Sequence, residues 1–170
     1  MKARMFPDTL IRRYASKGLL VDTNVLLMYL VGLYDPDYID LFKRTRQYTS
    51  EDFRIVQALT RRIRRLVTTP HVLSELTNLS RGLHEQHALE YFRRLVGVIK
   101  RAREVYVDKD VLLSHRGLPQ FGFTDMSILE AARGSKYLVL TDDFAAAGML
   151  RAQKCDVINL NHLRQMYWSR

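Results

Sequence analysis

Acidic residues follow four short apolar segments of this chain, in positions where they could gather around one divalent cation. These acids are Asp22, Glu75, Asp125, Asp142 and Asp143. Carboxylates brought together repel one another unless a cation lies among them. Clustered hard oxygen ligands suit Mg²⁺ or Mn²⁺. The pattern therefore predicts a divalent metal site, and the first question is which elements would assemble it.

Short β-type runs followed by helix-type patterns predict an α/β fold, a three-layer sandwich with a mostly parallel central sheet. Strands are expected at 19–21, 66–69, 104–107, 137–141 and 156–160. Helices are expected at 6–16, 24–33, 38–46, 50–65, 71–79, 84–103, 108–114, 124–133, 144–153 and 161–168. The acids would then lie near the carboxyl ends of the strands, where open α/β sheets bind their ligands.

Length and composition favour one domain over residues 1–170, with residues 1–17 as an N-terminal arm and residues 35–65 as an extended helical segment. Ser50 is the expected N-cap of the helix that begins there, and the glycine- and proline-containing residues 116–122 are an expected loop.

No apolar run approaches the length of a membrane span, and no signal-peptide pattern follows the basic start. The single cysteine, Cys155, excludes an internal disulfide and favours a reducing, cytoplasmic location.

The charge balance favours a polyanionic substrate. Twenty-seven Lys and Arg against eighteen Asp and Glu give a net charge of +9. Two arginine clusters are candidate nucleic-acid contacts, namely Arg61, Arg62, Arg64, Arg65 and Arg93, Arg94. We expect one of the two clusters to line the substrate path. A solvated helix face is the alternative for each individual arginine.

Each acid also has a purely structural interpretation. Asp22, Asp125 and Asp143 stand where a helix begins, and Asp favours the first turn of a helix. Glu75 could be a solvated side chain beside the apolar Leu73 and Leu76. The metal-site hypothesis therefore depends on the acids taken together.

Four motifs resemble those of PIN-domain nucleases, over residues 19 to 163. Val21-Asp22-Thr23-Asn24 resembles the opening acidic motif of the family, and Ser74-Glu75-Leu76 resembles its glutamate helix. Thr124-Asp125 is similar to the third acid, and Thr141-Asp142-Asp143 to the Thr-x-Asp motif after the fourth strand. In this match Asp143 fills the acidic position, and a shift of one residue would place Asp142 there instead.

The resemblance implies a metal-dependent endoribonuclease that hydrolyses RNA phosphodiesters with Mg²⁺ or Mn²⁺ and an activated water. Asp22, Glu75, Asp125 and Asp143 would be the catalytic metal ligands, with Asp142 as an alternative ligand. Thr23, Asn24 and Thr141 would orient the carboxylates or bound waters. Residues 35–65 are long for the toxin members of the family, so toxin membership stays open, as do a small antitoxin partner, a homodimer and the choice between RNA and DNA.

Two other functions compete with the nuclease. A catalytically weak PIN-like RNA-binding or scaffolding module would keep the fold and the basic surface, and a missing acid would mark it, but none is missing. A phosphoacceptor domain would need a lysine after a late strand near the acids, and Lys136 precedes its strand. The segment His84-Glu85-Gln86-His87 lacks zinc-helix spacing, and no glycine-rich phosphate loop is present.

Overall fold

Strands and helices alternate along residues 8–168, the part of the chain that the computed structural model describes. The strands are β1 (Leu19–Val21), β2 (Leu66–Thr68), β3 (Arg103–Glu104), β4 (Leu138–Thr141) and β5 (Val157–Asn159). The helices are α1 (Asp8–Tyr14), α2 (Thr23–Tyr34), α3 (Ser50–Arg62), α4 (Pro70–Ser80), α5 (Glu85–Ile99), α6 (Lys109–Leu113), α7 (Leu118–Ala132), α8 (Phe144–Ala152) and α9 (Leu160–Trp168). A short 3₁₀ helix spans Pro36–Tyr38.

Within the described range the strands form one sheet in the order β3-β2-β1-β4-β5, and every neighbouring pair is parallel. Leu19, Leu20 and Val21 of the central strand β1 are each no more than 1% exposed. Such burial is typical of a parallel strand whose two faces are both covered by helices. The α/β fold class and the parallel sheet predicted from the sequence are therefore confirmed.

The helices lie in two sets, as the right-handed crossover between parallel strands requires. The chain moves from β1 to β2 to β3 in one direction across the sheet, and α2 packs against α3, α4 and α5 on one face. It then returns to β4 and β5 on the other side of β1, and α7 packs against α6 and α8. Together with the sheet these sets form the three layers of the sandwich.

Helix α2 is the central helix of its layer. Its residues from Val25 to Gly32 are all buried, which is typical of a helix covered on every side. At Gly32 the backbone meets the ring of Phe53 from α3, and this ring also stacks on Tyr29 with its centroid 6.0 Å away. Gly32 therefore sets how closely α2 and α3 approach.

The helix expected at residues 38–46 is wrong. Beyond Pro36–Tyr38 this part of the chain forms successive turns, and α3 begins only after the turns end. Thr49, not Ser50, is the N-cap of α3, because Thr49 and Asp52 form a reciprocal capping box. The extended segment at 35–65 is thus only partly helical.

Three other boundaries also differ from the prediction. Residues 118–122 belong to α7 and not to a loop, but the helix is kinked at Gly122, whose φ of 78° is a left-handed conformation that glycine tolerates. Strand β3 ends at Glu104, whereas the predicted strand runs from 104 to 107. After Glu104 the ladder continues only through the Val105 N–H, which donates to the Thr68 carbonyl. Helix α9 begins at Leu160, before the expected cap Asn161.

The N-terminal arm contains α1, whose Ile11 and Tyr14 are buried. The Tyr14 hydroxyl donates a hydrogen bond of 2.6 Å to Asp156 Oδ2, beside β5. Residues 1–7 of the predicted arm lie outside the described residues, and the single-domain organisation stays a prediction. Among the helices of residues 8–168, none is both long enough and apolar enough to cross a membrane.

We expect Gly32→Ala to lower the free energy of unfolding by about 1 to 2 kcal/mol, because overpacking costs more than helix propensity returns. An added Cβ would lie 2.6 Å from Phe53 Cγ. The matched control is Gly97→Ala in α5, where an added Cβ meets nothing within 4 Å. Chemical denaturation measures the free energy of unfolding of both variants. Equal effects at the two positions would contradict the proposed contact.

Candidate active site

The strand order changes direction between β1 and β4, and the carboxyl ends of these two strands are where an open α/β sheet forms its ligand crevice. Asp22 follows β1 directly, and Asp142 follows β4. The Asp22 N–H extends the ladder by donating to the Leu140 carbonyl at 2.9 Å. The sheet thus places two of the predicted acids side by side.

Asp22 is buried, with 8% of its surface exposed. Its Oδ2 accepts a hydrogen bond of 2.7 Å from the Thr141 hydroxyl at the end of β4. Its Oδ1 accepts one of 2.6 Å from the Thr23 backbone N–H, so Asp22 also caps α2. The capping interpretation and the site interpretation are therefore compatible at this residue.

Glu75 joins Asp22 through Thr23. The buried Thr23 hydroxyl donates to Glu75 Oε2 at 3.0 Å, across from α2 to α4. Pro70 lies at the first turn of α4, and Thr69 caps the helix with its hydroxyl. Glu75 lies six residues after Thr69, at the part of α4 that contacts the first residue of α2.

Asp125 reaches the same region because α7 packs on α4. The hydroxyls of Thr69 and Ser127 are hydrogen-bonded at 2.8 Å, which joins the start of α4 to α7 two residues beyond Asp125. Next to this contact, the ring of His71 stacks on Phe123, with centroids 6.0 Å apart. Phe123 is 45% exposed and lies two residues before Asp125 in the chain.

Asp142 and Asp143 differ in their contacts. Asp142 Oδ2 accepts a hydrogen bond of 2.6 Å from the buried Tyr48 hydroxyl. Asp143 Oδ1 accepts from the Ala146 N–H at 2.8 Å and caps α8, while the rest of the side chain is exposed. Each carboxylate keeps one oxygen that makes no hydrogen bond within the described residues.

The turn that carries these two acids is held by side chains from the end of β5. Asn161 Nδ2 donates to the Asp142 carbonyl at 2.6 Å, and Asn159 Nδ2 donates to the Asp143 carbonyl at 3.3 Å. Arg164 supports this arrangement, because it donates to Asn161 Oδ1 and makes a two-pronged ion pair with Asp52 at 2.6 and 2.9 Å. The position of the acidic turn thus depends on α9 and α3.

The acids lie close enough to affect one another's protonation. Burial raises the pKa of Asp22 to about 6, and the negative charges of Asp142 and Glu75 add to the increase against the lowering effect of its hydrogen bonds. Burial raises the pKa of Asp125 to about 7, with further contributions from Asp22, Asp143 and Glu75. Burial, and then the charge of Asp142, also raise the pKa of Tyr48. All five predicted acids therefore share one electrostatic environment.

This negative charge is not neutralised by ion pairs, although Arg164 lies near enough to Asp142 for their charges to interact. No Lys or Arg of residues 8–168 forms an ion pair with any of the five acids. In the same range no three His, Cys, Asp or Glu side chains form a group that could already hold a metal ion. Mg²⁺ often binds through one or two carboxylates together with waters and substrate phosphates, so the carboxylate donors fit such an ion without a complete protein cage.

The remaining predicted site residues lie apart from the acids. Asn24 is exposed on the first turn of α2, and its side chain makes no hydrogen bond to these acids in the described structure. Arg93 and Arg94 pair with Glu90 on α5. The other arginines, Arg61, Arg62, Arg64 and Arg65, precede β2 and so lie at the amino edge of the sheet, opposite the acids.

Several positioning residues were not predicted from the sequence. Thr69 before Pro70 has a recognisable capping pattern, which could have indicated its place at the end of β2. Tyr48 is 1% exposed, so it is not available to stack on a base, and its hydroxyl instead holds Asp142. Arg164 and Asp52 are 112 residues apart, and no local pattern indicates their pairing.

Comparisons with protein-family models, with curated proteins and with solved structures found no match to this chain. The resemblance to PIN-domain nucleases therefore stays a prediction from the four motifs.

We expect Asp22→Asn to become more stable relative to the native chain as pH rises from about 4 to about 7, by about 2 kcal/mol. The native state holds a proton on Asp22 up to about pH 6, whereas the ordinary pKa of 3.8 applies to the unfolded chain. The native state thus binds more protons in this interval, and its stability falls as pH rises. Asparagine removes that dependence. Urea denaturation in EDTA at both pH values measures the free energies of unfolding of the variant and the native chain. The exposed Asp110→Asn is the control. A stability difference that does not change with pH would contradict the raised pKa.

Proposed function

We propose that this protein is a metal-dependent endoribonuclease of the PIN type. The observation that carries the proposal is the group of five acids around the β1–β4 crevice, two of them held by threonine hydroxyls and none of them ion-paired with a Lys or Arg of residues 8–168. Burying unpaired carboxylates is costly, so a structure that keeps them together is best explained by a bound divalent cation.

The donor groups have the chemistry of a Mg²⁺ or Mn²⁺ site. Asp22, Glu75, Asp125 and Asp143 would hold the ion, with Asp142 as the alternative to Asp143. When bound, the ion would supply charge neutralisation at a phosphodiester and a lower pKa for a water. Thr23 and Thr141 fix the carboxylate oxygens of Glu75 and Asp22, so these oxygens keep their positions when substrate enters.

Single-stranded RNA is the substrate class that we favour. The net charge of +9 attracts a polyanion. Phe123, supported by His71, offers an exposed ring next to Asp125 on which an unpaired base can stack. The preference for RNA over DNA comes from the family resemblance.

The alternative is a catalytically weak PIN-like RNA-binding or scaffolding module. Two observations favour it, both within residues 8–168. No group of acids is already arranged to hold an ion, and Arg61, Arg64 and Arg65 lie at the opposite edge of the sheet from the acids. A module of this kind would bind RNA in the absence of metal and leave it intact.

A small antitoxin protein and a second copy of this chain are proposed as partners on the resemblance alone. A cytoplasmic location is also proposed, and it agrees with the free, buried Cys155.

We expect metal-dependent cleavage of a labelled single-stranded RNA by the native chain, and at least about a 100-fold loss in Asp22→Asn and Asp125→Asn. The expected loss is this large because even residues that only orient ligands contribute about 10- to 100-fold. Gel analysis of the products with Mn²⁺, with Mg²⁺ or with EDTA measures the rates.

The matched control is Asp110→Asn, an exposed acid on α6 that pairs with Lys109. It should cleave like the native chain. Products that persist in EDTA, or equal rates for all the variants, would contradict the metal-carboxylate mechanism. RNA binding without cleavage would favour the binding module.

We expect Asp143→Asn to reduce cleavage more than Asp142→Asn, because the family match places the ligand at Asp143. Asparagine caps a helix about as well as aspartate, so α8 should stay intact in the variant. Cleavage rates of both variants are compared across a metal titration. Thermal unfolding of both variants checks that they are folded. The reverse order of rates would assign the ligand to Asp142, which Tyr48 already orients.

A further inference from the structure

The amino edge of the sheet, opposite the acids, carries basic residues in the segments that lead into four strands. Lys17 precedes β1, Arg64 and Arg65 precede β2, Arg101 precedes β3 and Lys136 precedes β4. Parallel strands begin at the same edge of a sheet, so residues far apart in sequence meet there. The sequence pattern alone does not show this convergence.

Three neighbouring depressions connect these residues. The first, of about 300 Å³, is lined by the side chains of Arg61, Arg64 and Arg101 around Tyr29 and Thr60. The second, of about 590 Å³, shares Arg64 with the first and adds Arg65.

The third depression, of about 440 Å³, shares Arg65 and Ser16 with the second and adds Lys17, Arg103 and Lys136. The shared residues make the three depressions one continuous surface, which we call the amino-edge groove. None of its lining residues is an Asp or a Glu.

Most cations of the amino-edge groove are not used in ion pairs. Among residues 8–168, Arg61, Arg64, Arg65 and Arg101 have no acidic partner within ion-pair distance. Arg103 lies over the ring of Tyr137, with its guanidinium carbon 5.9 Å from the ring centroid. An arginine surface without acids is costly in self-repulsion, and a bound polyanion relieves that repulsion.

We infer that the amino-edge groove binds the phosphate backbone of single-stranded RNA, at a site separate from the carboxylates. Neighbouring strands lie about 4.8 Å apart, so four strand ends extend over about 14 Å, enough for several consecutive phosphates. Arginine is suited to such contacts because its planar guanidinium binds two phosphate oxygens at once. An acidic protein partner fits less well, since Asp and Glu are depleted at protein interfaces and the groove would need many of them.

The amino-edge groove does not depend on the proposed nuclease activity. Strand β2 is three residues long, so about 10 Å separates its two ends. An RNA strand held in the groove therefore runs along the edge of the sheet away from the acids. In a nuclease the groove would hold RNA flanking the cleaved bond, and in a binding module it would be the main RNA site.

The test measures binding of a labelled oligouridylate by fluorescence anisotropy, in EDTA and at several salt concentrations. The groove variant is Arg64→Gln with Arg101→Gln, and the matched control is Arg93→Gln with Arg94→Gln, which removes the same charge from side chains that pair with Glu90. Two lost phosphate contacts should reduce the slope of log affinity against log salt by about 1.4 and weaken binding at least about tenfold. The control should change affinity by less than about twofold.

Equal losses in both double variants would show non-specific charge attraction and overturn the inference. Binding of polyglutamate with the same affinity as RNA would also overturn it, in favour of an acidic protein partner. Thermal unfolding of both variants is run alongside, and the single variant Arg64→Gln, with an expected slope change of about 0.7, replaces the double variant if that chain does not fold.

A further comparison separates this inference from the nuclease proposal. The native chain should bind the oligouridylate in EDTA as well as with Mg²⁺, whether or not it cleaves RNA with metal. Binding that appears only when Mg²⁺ is present would place the RNA site at the carboxylates and not in the amino-edge groove.

Discussion

Asp22 is a buried carboxylate at the point where the strand order of a parallel sheet changes direction, and the surrounding structure is arranged to hold it there. Its backbone N–H extends the ladder between β1 and β4, and its two oxygens accept hydrogen bonds from Thr23 and Thr141. These bonds favour the charged form of the carboxylate, while burial and the neighbouring acids oppose it. Burial and the neighbouring acids outweigh these bonds, so the pKa of Asp22 is raised to about 6.

The threonines explain how the other acids are brought to this point. Thr23 joins Asp22 to Glu75, Thr141 joins Asp22 to β4, and Thr69 joins the start of α4 to α7. Each lies at or just beyond the carboxyl end of a strand, where a short hydroxyl side chain can bond both a helix start and a neighbouring element. The acidic crevice is thus made of backbone termini and local hydrogen bonds, with long-range support from Tyr48, Asn161 and Arg164.

The two edges of the sheet have opposite electrostatic character. The carboxyl edge collects acids and the amino edge collects arginines, and strands of only three or four residues separate them. This separation keeps the arginines from neutralising the carboxylates through ion pairs. Within residues 8–168 the crevice therefore keeps its carboxylates without ion pairs, and Arg61, Arg64, Arg65 and Arg101 at the opposite edge have no acidic partner.

The sequence by itself determined the fold class, the five strands and the acids that follow β1 and β4, because buried strands and helix starts are encoded by local apolar runs and capping residues. It misplaced residues 38–46, since their apolar residues pack from successive turns, with Ile39 and Phe42 buried, and their spacing resembles that of a helix. It also missed the kink at Gly122, where one positive φ interrupts a helix that continues on both sides. Only the tertiary structure decided that Tyr48 holds Asp142, that Arg164 pairs with Asp52, and that Arg61 to Arg65 face away from the acids. The physical reason is that strand order and crossover direction set which distant residues share an edge, and no local spacing in the chain records that order.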